Sequence, residues 1–76
     1  MNNNRRKEIG KIIKQLENIS DMIDNVMSDE QEYMDNMPEN MQNGDKYYAA
    51  EEAVSNLEDA ISDIESAINN LESARI

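Results

Sequence analysis

Two groups of side chains in this sequence are suited to binding a small anion. Near the start, Arg5, Arg6 and Lys7 place two guanidinium groups and an ammonium in consecutive positions, and such groups pair with phosphate oxygens through charge-assisted hydrogen bonds. Further along, Asn40, Gln42 and Tyr48 offer two amides that can meet base edges and a phenol ring on which a base can stack. The groups are far apart in the chain, so only folding or assembly brings them together.

Bond-breaking chemistry has little to work with. With no histidine and no cysteine, the chain lacks an imidazole base, a thiol nucleophile and the usual zinc ligands. It has no glycine-rich phosphate loop and no serine in a nucleophile setting. Glu30 falls where an apolar residue is due and is the one candidate for a perturbed acid, although a carboxylate that reaches solvent or is paired is the commoner outcome. A calcium loop fails on register: starting at Glu39 it would place Asn43 and Gly44 correctly, but Met41 at an oxygen-ligand position and Ala50 where the bidentate glutamate belongs. The expectation is a protein that is not an enzyme and that carries no metal or cofactor.

The charge is strongly polarised. Arg5, Arg6, Lys7, Lys11 and Lys14 against Glu8 give the first fourteen residues +4, while the other 62 carry −14 of the net −10. Such a field repels nucleic acid and favours basic partner surfaces. No run of about 18 apolar residues is present to cross a bilayer, and the start lacks the apolar stretch of a secretory signal. A soluble, cytoplasmic protein without direct nucleic-acid or membrane contact is expected.

The elements that must position these residues are helices. From Val54 the chain repeats every seven residues as AVSNLED, AISDIES and AINNLES. Val54, Ile61 and Ile68 take heptad position a, Leu57, Ile64 and Leu71 take d, and Ala53, Ala60, Ala67 and Ala74 take g. The small alanines beside the seam allow close approach of another helix, which favours a bundle over a two-stranded zipper. In the first half, Ile9, Ile12, Leu16, Ile19, Ile23, Val26, Tyr33 and Met37 follow three- and four-residue steps, with Ile13, Met27 and Met34 widening the stripe. Gly10 is costly inside a helix by about 1 kcal/mol relative to alanine and predicts a frayed first turn.

The reading is therefore all-α, a single domain over residues 1–76. Helix 1 is placed at about 5–35, a connector at 36–44 and helix 2 at about 45–75, folded back as an antiparallel hairpin. A chain this short buries little surface, and without disulfide or zinc the remaining remedy is self-association. One hairpin hides only one stripe of each helix, so a four-helix dimer or higher oligomer is expected. In the hairpin the basic start should lie beside Glu65, Glu72 and the terminal carboxylate of helix 2.

Within the connector, Pro38 should end helix 1 or kink it, with Asn36 or Met37 capping a short turn that Pro38 begins. Asn43 and Gly44 tolerate positive φ, and Asp45 can accept hydrogen bonds from the first free amides of helix 2. About nine residues is longer than a minimal connection between helices. Met37 and Met41 should cap the core. Asn40, Gln42 and Asn43 have no evident packing role.

From Tyr33 to Glu72 the sequence, YMDNMPENMQNGDKYYAAEEAVSNLEDAISDIESAINNLE, resembles a group of small acidic proteins encoded by phages and mobile elements of gut and low-GC bacteria. The shared features are a tyrosine and acidic lead-in, an N-M-P-E-N-x-Q connector, a polar step with Tyr, and a closing A-E-E-A-[IV]-x-N-L-E-x-A-I run. Gly44-Asp45-Lys46 stands where the group has Ser-Glu-Arg, so its serine cap is missing. The resemblance implies a phage setting and counter-defence work in the host cytoplasm, by fold-level and contextual analogy.

Three functions are compatible with this. A homo-oligomer could sequester a nucleotide immune signal, with Arg5, Arg6 and Lys7 of one chain and Asn40, Gln42 and Tyr48 of another, aided by the free amides of helix 2. Alternatively, rows formed by Glu58, Asp59, Asp63, Glu65 and Glu72 could mimic nucleic acid and block a basic groove of a host defence protein. The third is a structural oligomerisation adaptor, which needs only the heptads.

Overall fold

The structure, a computed structural model describing all 76 residues, is all-α. Helix α1 spans Asn3–Asp35, a single 3-10 turn covers Glu39–Met41, and helix α2 spans Asp45–Ala74. The two helices pack along their length as an antiparallel hairpin, a rod of 59 × 15 × 11 Å. Its radius of gyration is 17.4 Å, against about 11 Å for a compact domain of this length. A rod has much surface and little interior, and the packing below follows from that.

Helix α1 begins two residues earlier than expected and runs through Gly10 unbroken. The reason is a cap: the Asn2 Oδ1 accepts a hydrogen bond from the Arg5 amide at 2.8 Å. That satisfies one of the four donors a helix start leaves free, worth about 1 kcal/mol, which offsets the glycine. Gly10 itself lies where α1 meets the end of α2. A Cβ there would sit 2.9 Å from the Arg75 Nη1.

The seam of α2 is the expected one, with Ala50 and Val54 buried and Leu57, Ile61, Ile64, Ile68 and Leu71 half-buried. On α1 the inner and outer rows exchange places. Ile13 and Met34 are buried and Met27 is half-buried, in step with Ile9, Leu16, Ile23 and Met37. Ile12, Ile19, Val26 and Tyr33, read from sequence as part of the seam, are exposed. Ser20 and Glu30 complete the inner rows and are half-buried. Two polar residues thus occupy seam positions while an unbroken apolar row faces outward.

Only Ile13, Met34, Met37, Ala50 and Val54 are buried, and no side chain is completely enclosed. Four of these five sit at the connector end, where Met34, Ala50 and Val54 form one cluster with Met27 and Tyr47 packed against it. The hairpin is therefore held most firmly next to its turn. The solvent-accessible surface is 5695 Å², about 1,000 Å² more than a compact monomer of this mass exposes.

The expected pairing of the basic start with Glu65, Glu72 and the terminal carboxylate does not form. Both ion pairs lie within one helix, Lys11 to Glu8 at 3.4 Å and Arg75 to Glu72 at 2.9 Å. Glu72 is taken by its neighbour one turn on, and Arg5, Lys7, Lys11 and Lys14 project into solvent. Exposed pairs of this kind contribute well under about 1 kcal/mol each.

Candidate functional site

Arg5 and Lys7 are exposed on the first turns of α1, and half-buried Arg6 donates from Nη1 to the Asn3 Oδ1 at 3.0 Å. Asn40 is exposed within the 3-10 turn. Tyr48, on the first turn of α2, is exposed and meets Tyr47 edge to face, with ring centroids 6.1 Å apart and planes at 80°. Its outward position agrees with the heptad register. The connector residues therefore share one end of the rod and the cations the other, on the order of 45 Å away at 1.5 Å per helical residue. A single chain does not assemble these six residues into a site.

Gln42 has a structural task that sequence did not disclose. Its Nε2 donates to the Met37 carbonyl oxygen at 3.1 Å. That carbonyl lies beyond the end of α1 and accepts no backbone hydrogen bond, because the Met41 amide is taken by the Pro38 carbonyl. The side chain thus bridges across the 3-10 turn and holds the bend over buried Met37. Met41 is exposed instead of covering the core.

The rest of the connector keeps the expected order, with α1 ending before Pro38, a short turn after it and α2 starting at Asp45, but its caps differ. Asn36 is the C-cap of α1, and its amide donates to the Glu32 carbonyl at 3.0 Å. Pro38 precedes the 3-10 turn with φ −56° and ψ 146°, and no side chain caps that turn. Gly44 is the N-cap of α2 at φ −89° and ψ 172°, without a side-chain bond, and Asp45 is already helical. The Asp45 charge still favours the positive end of the α2 dipole. No residue has positive φ, so the bend uses neither Asn43 nor Gly44 for that purpose.

Two grooves run along the hairpin, one on each side. The first, of about 270 Å³, is lined by Ile19, Met22, Ile23, Val26 and Leu57, all apolar. The second, of about 300 Å³, combines Met27 and Val54 with Ser28, Gln31, Glu32, Asp35 and Glu58. The hairpin thus has an apolar side and an acidic side. No three carboxylates converge closely enough to hold a metal ion. The Ile12, Ile19, Val26, Tyr33 spacing marks this apolar side in the sequence, but in the hairpin that row is exposed and does not face α2.

No family model, no curated protein and no solved structure matches this chain. No helix is long and apolar enough to cross a membrane.

Proposed function

We propose that this chain is a non-enzymatic binding protein that works as a homo-oligomer, a four-helix dimer or larger, built by packing the apolar sides of hairpins together. The observation that carries this reading is the outward row Ile12, Ile19, Val26 and Tyr33, between 44% and 55% exposed at seven-residue intervals. A periodic apolar row next to an all-apolar groove is a contact surface for another helix. On α2, half-buried Ala53, Ala60 and Ala67 lie along the same side of the heptad and leave room for it.

The ligand class proposed for the oligomer is a small nucleotide. Arg5, Arg6 and Lys7 of one copy supply the phosphate contacts, and Asn40 and Tyr48 of a neighbour supply amide and stacking contacts, with Gln42 acting chiefly on the shape of the bend. The phage resemblance of the connector supports a counter-defence role in the host cytoplasm, as uptake of an immune signal. The test is native mass spectrometry of the purified protein followed by titration with cyclic and linear nucleotides. An oligomer that takes up a nucleotide stoichiometrically and reversibly supports the reading. A single-copy protein, or an oligomer inert to the whole panel, overturns the nucleotide role.

A second reading is supported by the free carboxylates. Of 17 Asp and Glu residues, only Glu8 and Glu72 are in ion pairs. Exposed Glu58, Asp59, Asp63 and Glu65 therefore present unpaired charge along α2, as a mimic of nucleic acid directed at a basic protein groove requires. That reading calls for a protein target with steeply salt-dependent affinity. An oligomer with neither ligand nor target is left as a structural adaptor.

A further inference from the structure

We infer that the apolar side of the hairpin is closed by a second copy of this chain lying antiparallel across α1, so that the basic end of each copy meets the acidic connector end of the other. This rests on the self-association proposed above and adds its geometry, which nothing in a single hairpin supplies.

The first argument is symmetry. The row Ile12, Ile19, Val26, Tyr33 is mirrored about a point between Met22 and Ile23. A half-turn about an axis through that point returns the row to itself, as the self-complementary patch of a two-fold dimer requires. Met22, beside the axis, is 65% exposed despite being apolar, and it lines the groove with Ile19 and Val26. The most exposed large apolar residue within the helices therefore lies where two copies would cross.

The second argument is charge. The first fourteen residues carry +4, whereas the stretch from Asp21 to Glu39 holds seven carboxylates and no cation. Parallel copies would set like against like at both ends. Antiparallel copies bring Arg5 and Arg6 level with the second copy's Asn40 and Glu39, and Lys11 and Lys14 near its Glu32 and Asp35. The cations and connector groups that one chain holds far apart come together in this arrangement, so the proposed ligand site is incomplete without a second copy.

The third argument is area. An excess surface of about 1,000 Å² over a compact monomer is close to the roughly 800 Å² that each partner gives to an interface of standard size.

The test uses spin labels, which the absence of native cysteine makes specific. Labels on Asn4→Cys in two antiparallel copies lie about 55 Å apart at 1.5 Å per residue. Two parallel copies bring them within about 20 Å at normal helix spacings. Labels on Met22→Cys are close when the apolar side is the buried one. A long distance at position 4 with a short one at 22 is the expected result. A short distance at 4, or a long one at 22, overturns the antiparallel arrangement and leaves self-association standing. Single copies by sedimentation, with no distance between chains, remove both. Charge reversal gives an independent sign: Arg5→Glu with Arg6→Glu weakens an antiparallel dimer by about tenfold at low salt, with the effect fading at high salt. In a parallel dimer the same change relieves repulsion and tightens association, which contradicts the inference.

Discussion

The guanidinium of Arg75 lies over Gly10, its Nη1 2.9 Å from the position a Gly10 Cβ would take. Glu72 holds that guanidinium through hydrogen bonds of 2.9 to 3.1 Å. The last turn of α2 is thereby laid across α1 at the open end of the hairpin, where Ile13 is the one buried side chain. What looks from sequence like a helix defect is the place where the second helix end is seated.

Gly10→Ala tests that seat. Alanine adds up to about 1 kcal/mol of helix stability, and the atom it meets is the far end of a flexible side chain. A net gain of about 0.5 kcal/mol is expected, read as a higher urea midpoint at fixed protein concentration. A loss would mean that the Arg75 placement matters more than backbone freedom at position 10.

At the other end the prediction is larger and opposite in sign. Met34 is 5% exposed and packs in the cluster with Ala50 and Val54. Met34→Ala should cost about 2–4 kcal/mol through lost burial and an unfilled space. A single core in a chain this small rarely supplies more than about 3–5 kcal/mol, so loss of helical circular dichroism near room temperature is the expected readout.

Ile19→Asp combined with Val26→Asp separates the outer row from the inner one. Both side chains are about half exposed in the single chain, so the fold of one hairpin should change by less than about 1 kcal/mol. Self-association should be abolished in sedimentation equilibrium. A variant that stays oligomeric would show that another surface makes the contact.

Gln42→Ala and Asn40→Ala distinguish structure from binding in the connector. Removing the Gln42 bond to the Met37 carbonyl should cost about 0.5–1.5 kcal/mol, whereas Asn40→Ala should leave thermal stability within experimental scatter. Any nucleotide binding lost in Asn40→Ala without a change in melting is then assignable to direct contact.

Helix number, helix boundaries and the α2 seam were legible because valine, isoleucine and leucine at a and d, with alanine at g, leave one register for residues 53 to 71. Helix α1 was harder. Adjacent rows at 12, 19, 26, 33 and 13, 20, 27, 34 both carry apolar residues, and the true inner set includes Ser20 and Glu30. The row with the unbroken apolar spacing, Ile12, Ile19, Val26 and Tyr33, is the outer one. Periodicity shows that a face is apolar, not whether its cover comes from the same chain. The candidate site was less legible still. Arg5, Arg6, Lys7, Asn40, Gln42 and Tyr48 follow no period, and the task of Gln42 depends on the Met37 carbonyl, which lies beyond the end of α1 and accepts no backbone hydrogen bond.

Because no connector residue needs positive φ, none of its positions is reserved for glycine on backbone grounds. A side chain at Gly44 would bring its Cβ 3.2 Å from the Met41 carbonyl oxygen, a contact that a few tenths of an ångström relieves, and a serine there would supply the oxygen that the α2 start lacks. The side chains that shape the bend are buried Met37, Pro38 and Gln42, which donates to the Met37 carbonyl. The remaining loop letters are free to drift, and new recognition chemistry can be written into them without retooling the rod.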